Sequence, residues 1–169
     1  MATKTDGQMK VLVFWENWFS NLYPFSRAID LSLEETTRYL LKLLEKYGYQ
    51  VTFYCLGTTT ESHPKLYAKI LSSPHKIDSH GYEHVSALCR NVVMRPNVWL
   101  GLTGGFWFRV LPLWLLKKQV RKTGHFYIHP YDIDENHPHT GNWWFDWKRH
   151  VGLKGSRKKL EKLLEDITD

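Results

Sequence analysis

Residues 50–84 read QVTFYCLGTTTESHPKLYAKILSSPHKIDSHGYEH, and the fold class turns on this stretch. Gln50 to Leu56 is a short apolar run rich in β-branched and aromatic side chains, which predicts a strand ended by Gly57. A loop follows. Pro64 then suits the first turn of a helix, because its missing N–H is not needed there, and the helix ends near Ser73. Lys76 to Tyr82 predicts another strand, which passes into a turn at Gly81. A strand returning to a strand through a helix is the unit of a parallel α/β sheet.

The same alternation extends on both sides. Met9 to Phe14 predicts the first strand. Ser32 and Glu35 form a capping box, which predicts that a helix begins near Ser32; its apolar stripe is Leu33, Thr37, Leu40, Leu41 and Leu44, and Gly48 stops it. Residues 86–105 show no clean period. Phe108 to Lys122 predicts a helix with Pro112 in its first turn, stopped by Gly124, and His125 to Ile128 predicts a fourth strand. Gly141 to Trp147 reads as an aromatic loop, and Ser156 to Ile167 as an amphipathic helix facing inward through Leu160, Leu163, Leu164 and Ile167.

Composition bounds the rest. The chain has 169 residues, 43% of them hydrophobic and 15% aromatic with eight Trp, which predicts one domain over residues 1–169 and excludes a disordered chain. The polar Met1 to Lys10 lacks an apolar core segment, predicting no signal peptide, and with only Cys55 and Cys89 a cytoplasmic setting is expected. Val98 to Leu116 is the most lipid-like stretch, but Arg109 and Pro112 interrupt it, so no membrane span is expected. The net charge of +6 gathers in Lys117, Lys118, Arg121 and Lys122, and in Lys154, Arg157, Lys158, Lys159 and Lys162. Both clusters fall on amphipathic helices without a nucleic-acid motif, so they read as solvated helix faces and no nucleic-acid partner is expected.

In parallel α/β folds the working residues gather beyond the C-terminal ends of strands. Glu16 and Asn17 follow the first strand, His80 and His84 the third, and His129 the fourth. His80-Gly-Tyr-Glu-His84 places two imidazoles four apart, a spacing that can share one divalent ion but also arises by chance among nine His. Asp78 lies two residues before His80, so the two share a strand face; it reads as a surface carboxylate paired with a Lys or, alternatively, as a metal-side ligand or base. Trp18, Trp107, Trp143, Trp144 and Trp147 fall near strand ends or loops, where flat apolar faces with polar tips suit sugar rings. For Trp143 and Trp144, core packing stays an equal alternative; Trp99 and Trp114 read as core.

Several segments in one order carry a family resemblance. Thr52-Phe-Tyr-Cys-Leu-Gly57, Glu61-Ser-His-Pro64 and Ser79-His-Gly-Tyr-Glu-His84 resemble the polysaccharide deacetylase superfamily, in particular its exopolysaccharide-biosynthesis branch. Gly104-Gly105-Phe-Trp-Phe-Arg109-Val-Leu-Pro112 and Tyr127-Ile-His129-Pro-Tyr131-Asp-Ile-Asp134 resemble later segments of that branch. The resemblance implies a reduced, incomplete (β/α) barrel and metal-dependent hydrolysis of acetyl groups from sugars. It implies zinc or another divalent ion held by His80 and His84, with Asn17 at the acidic metal position and His129 as general acid. It further implies a carbohydrate partner, an acetylated polysaccharide or a nucleotide-sugar-derived glycan, met by Trp18, Trp107, Arg109, Tyr131, Trp143 and Trp144.

The chain departs from that pattern in three ways. Phe14 stands at the position of the base and Asn17 at the acidic metal position, so neither supplies a carboxylate. The Arg-x-Pro segment that supports the base is absent. Only nineteen residues separate His84 from Gly104, so the middle of the fold is shortened. The expectation is therefore a deacetylase-like protein with an eroded site, in which Asp78 and Glu16 are the candidate replacement carboxylates. The alternative is a catalytically inactive carbohydrate-binding or scaffold protein on the same fold. A smaller, more open sheet leaves edges uncovered, which predicts a homodimer.

Overall fold

The computed structural model describes residues 10–16, 26–82, 102–139 and 141–168. Among them, β1 (Lys10–Trp15), β2 (Thr52–Cys55), β3 (Lys76–Ser79) and β4 (His125–Ile128) form one parallel sheet in the order β3-β2-β1-β4. The helices are α1 (Ser26–Lys46), α2 (Gly57–Ser62), α3 (Pro64–Leu71), α4 (Gly105–Val110), α5 (Leu113–Thr123), α6 (Trp143–His150) and α7 (Ser156–Thr168). A 3-10 turn, Pro130–Ile133, follows β4. The parallel α/β arrangement expected from the alternating strands and helices is the one observed.

The two sheet faces have different work. Val13 lies beside Phe53 on one side and Ile128 on the other, and Val11 lies beside Phe126, so these side chains share one face. That face is dry: it packs on Leu40 and Leu44 of α1, Ile70 of α3, Leu116 and Val120 of α5, and Leu160, Leu163 and Leu164 of α7. Each such side chain removed from water contributes roughly 1.5–3 kcal/mol. Trp15 is wholly buried here and its indole N–H donates to Thr37 Oγ1 at 3.0 Å, which satisfies its one polar atom. Burial in the same layer pushes the Cys55 thiol up to about 12. The opposite face carries Phe14, Tyr54 and Tyr127, with the Phe14 ring 5.4 Å from Tyr54 and 5.8 Å from Tyr127.

Several boundaries differ from the sequence reading. Helix α1 begins at Ser26, and Ser32 lies inside it; its hydroxyl donates to the Asp134 carboxylate instead of capping a helix start. Residues 57–62 form α2 where a loop is expected, because the Gly57 and Thr58 N–H groups find the Gly81 and Tyr82 carbonyls at 2.9 Å each. The helix expected over Phe108 to Lys122 is two helices, α4 and α5, broken at Leu111 with Pro112 preceding the second. Residues 143–150 are the helix α6 instead of a loop: the Asn142 side chain caps it, accepting from Phe145 N–H at 3.2 Å. Trp114 is 68% exposed instead of in the core, since α5 turns Leu116 and Val120 inward and Trp114 to the other side.

The basic clusters do more than face water. Lys117 pairs with Asp166, Arg157 reaches Glu35 at 2.8 Å, and Lys159 Nζ donates to the carbonyls of Arg109 and Leu111. These contacts tie α7 to α1, α4 and α5. One glycine is required by space: Gly104 pairs with Tyr127 beside β4, and a Cβ there would lie 1.9 Å from the Tyr127 carbonyl oxygen. No helix among the described residues is long and apolar enough to cross a membrane.

Candidate functional site

Three strand ends bring one carboxylate and two imidazoles together. Glu16 comes immediately after β1, His80 immediately after β3 and His129 immediately after β4. Glu16 is 4% exposed and stands between the two rings, with Oε2 3.4 Å from His80 Nε2 and Oε1 3.6 Å from His129 Nε2. Phe14 forms the apolar floor, its ring 5.0 Å from His80 and 5.5 Å from His129. His80 is fixed at its backbone, where the N–H donates to the Cys55 carbonyl at 2.9 Å.

His129 is held from behind by a second carboxylate. Asp132, fully buried one turn later, accepts from the His129 backbone N–H and lies 3.0 Å from ring Nδ1. Its other oxygen is 3.2 Å from the Arg109 Nε. Tyr131 stacks on the His129 ring at 4.5 Å and 11°, and the Arg149 guanidinium lies 4.1 Å from the Tyr131 ring centre. Burial, reinforced by the Asp132 and Glu16 charges, holds the Tyr131 phenol well above its ordinary value; burial and Asp132 push Tyr127 up to about 12. Both phenols stay neutral over the working range.

Arg109, which the resemblance implies as a substrate contact, turns its guanidinium into the fold. It is 7% exposed, and its guanidinium donates to the carbonyls of Arg149 at 2.5 Å, Val151 at 3.1 Å and Lys148 at 3.1 Å besides meeting Asp132. The fork thus locks the end of α6 to the turn that carries His129. Burial lowers the Arg109 pKa, an effect that the Asp132 charge opposes.

The other sequence-derived residues fall in different places. Asp78 is exposed at the end of β3, where Oδ1 accepts from the Ser79 N–H at 2.8 Å. It lines a cavity of about 430 Å³ together with Thr60, Tyr67 and Tyr82. Trp107 is 40% exposed on α4, and Trp143 and Trp144 are 77% and 50% exposed on α6. Asn17, Trp18, His84 and Trp99 lie outside the described residues. The sequence reading missed Asp132; the signal for it was the short His-Pro-Tyr-Asp spacing after a strand, which suits a reciprocal cap on a tight turn.

A metal can be tested against these donors. Two ligands about 2.0–2.1 Å from a tetrahedral ion lie about 3.3 Å from each other. The 3.4 Å between Glu16 Oε2 and His80 Nε2 matches that separation, and carboxylate with imidazole is a zinc-type donor pair. A second group, His139, Asp146 and His150, has ligand atoms within 4.8 Å of one another. It fits less well. His150 Nδ1 faces the Asp146 carbonyl at 2.7 Å and Nε2 the His137 carbonyl at 2.9 Å, while the His139 ring stacks flat on it at 4.0 Å. Parallel rings one above the other cannot both aim a nitrogen in plane at one ion.

Comparison with known families gives two matches. The polysaccharide deacetylase model matches residues 25–97, and the model of a domain of unknown function, DUF3473, matches residues 68–168. Neither the curated proteins nor the solved structures give a match.

Proposed function

We infer that this chain, which belongs to the DUF3473 family and the polysaccharide deacetylase superfamily, hydrolyses acetyl groups from a surface or extracellular polysaccharide through a rebuilt acid–base site. The carrying observation is the Glu16 carboxylate standing between His80 and His129 at 3.4 and 3.6 Å. Glu16 supplies the negative charge that Phe14 and Asn17 do not.

The roles follow from what each atom faces. His80 Nε2 and Glu16 Oε2 would hold a divalent ion, and the family resemblance would add His84 as a further ligand. Such an ion, when bound, supplies a polarised acetyl carbonyl and an acidified water. Glu16 Oε1 takes the proton of the attacking water. His129 gives its Nε2 proton to the departing sugar nitrogen or oxygen as the acyl bond breaks and acetate leaves. Asp132 at Nδ1 fixes the ring orientation, so that Nε2 is the atom turned to the reacting group.

A second reading has its own support. Phe14 places an apolar ring 5.0 and 5.5 Å from the two imidazoles, where a proton acceptor would serve a hydrolase better. In that reading the chain binds carbohydrate without cleaving it. Metal analysis with an acetate-release assay on acetylated oligosaccharides separates the two. Hydrolysis predicts one zinc per chain and acetate release that His129→Ala abolishes with folding intact. Absence of a stoichiometric metal together with no acetate release favours the binding protein.

A further inference from the structure

Helix α6 presents an aromatic face that its own attachment does not use. No residue of α6 is buried. Trp143, Trp144 and Trp147 are 77%, 50% and 51% exposed, and positions three and four apart share one side of a helix. The Trp144 and Trp147 rings lie nearly parallel, 12° apart with centres 5.4 Å apart, and Trp143 meets Trp144 edge-on. The helix is held instead by Arg109 on the carbonyls of Lys148, Arg149 and Val151, and by Arg149 over Tyr131. Three exposed indoles that do not anchor their helix form an apolar patch of the kind that marks a binding surface.

We propose that the Trp143–Trp144–Trp147 face of α6 is a docking platform for a strand of acidic polysaccharide, outside the sugar unit that reaches His129. Two features on the helix choose this occupant. Near-parallel, offset indole rings offer flat faces on which the apolar sides of successive pyranose rings lie. Beside them stands a cation: Lys148 Nζ sits over the Trp144 ring, 4.8 Å from its centre. The one acidic residue of α6, Asp146, turns its carboxylate to the Gly141 N–H, and the chain carries +6. Indoles beside a basic side chain also suit a bilayer interface, so vesicle binding is an outcome of the test.

The proposal rests on the carbohydrate reading above, and its test is separable from hydrolysis. Affinity electrophoresis of the full chain through gels containing sodium alginate, a polyuronate, or neutral dextran measures retention without any acetyl chemistry. Retention by alginate, weakening as salt rises, is expected for the native protein and for His129→Ala. Trp144→Ala/Trp147→Ala, with an unchanged circular dichroism spectrum, is expected to lose at least tenfold in affinity; Lys148→Glu, which spares the indoles, is expected to weaken alginate retention as well. Equal retention of these variants overturns the platform. So does stronger binding to phosphatidylglycerol vesicles than to alginate, or a dimer that dissociates when the indoles are removed. Retention without acetate release leaves the platform standing and removes the hydrolase.

Discussion

The Asp132 carboxylate meets His129 twice, at its backbone N–H and at ring Nδ1, both at 3.0 Å. One oxygen makes both contacts, so the turn after β4 and the ring on it are fixed by one group. The other oxygen is left for Arg109 at 3.2 Å. An unbroken line of charge and hydrogen bonding thus runs from the end of α6 through Arg109, Asp132 and His129 to Glu16. Nε2 is the atom His129 has left to offer, and it faces Glu16.

Asp132→Asn keeps the shape of that link but removes its charge. An amide there no longer holds the ring N–H and the backbone N–H with one charged oxygen, so the orientation of Nε2 loosens and acetate release is expected to fall by about 10²–10⁴, the usual range of general acid catalysis. The KM for a small acetylated sugar is expected to change far less than kcat. A matched loss in KM with kcat preserved would place Asp132 in sugar binding and refute the positioning role.

Arg109 separates stability from binding. Replacing it by Met leaves the Asp132 carboxylate buried without its partner, which costs about 3–5 kcal/mol. Urea unfolding is expected to show that loss, and Arg109→Lys is expected to recover only part of it, because an ammonium cannot span three carbonyls and a carboxylate as the planar fork does. An unchanged unfolding midpoint would contradict the buried clamp described here.

The parallel sheet was legible because β1, β2 and β4 carry short runs of β-branched and aromatic residues between turn signals, while β3, Lys-Ile-Asp-Ser, showed through its place between Pro74 and Gly81. The helices that escaped have local reasons. In α2, Gly-Thr-Thr-Thr-Glu-Ser has no apolar period and poor helix propensity; the helix stands because the Gly81 and Tyr82 carbonyls receive its first N–H groups. In α6 the indoles face outward, which inverts the pattern that normally reports a helix. The Ser32–Glu35 spacing satisfied a cap rule, yet Ser32 serves a tertiary bond to Asp134. At the site, Glu16 and both imidazoles could be named from their positions after strands. Arg109 could not be assigned, since its burial depends on α6 being a helix whose carbonyls it collects.

His75 gives the fold a pH dependence of known sign. Its ring packs 5.4 Å from Phe53, Nδ1 is buried without a hydrogen bond among the described residues, and burial lowers its pKa below the ordinary 6.5. The unfolded chain therefore takes up a proton more readily than the folded one. The His75 contribution to stability is intact above about pH 6.5 and is lost as pH falls through the lowered folded value. His75→Gln, which does not titrate, is expected to flatten the fall in urea midpoint between about pH 8 and pH 5. An identical fall in both proteins would reject His75 as a contributor.

Glu16 carries the largest burden in this site, because one carboxylate faces both His80 and His129. Glu16→Gln preserves size and removes the charge from both contacts at once. Two losses are then expected together: weaker zinc binding by calorimetry, and acetate release lower by about 10²–10⁴. His80→Ala is expected to remove the metal donor while leaving Asp132 and Arg109 on His129 undisturbed, so its unfolding midpoint should stay closer to native than that of Arg109→Met. Asp78→Asn is the contrasting variant, since Asp78 is exposed and turned to the Ser79 N–H. If Asp78→Asn loses zinc and Glu16→Gln keeps it, the replacement carboxylate is Asp78. If Glu16→Gln alone loses both zinc and acetate release, the carboxylate between the two imidazoles is the group that restores the site.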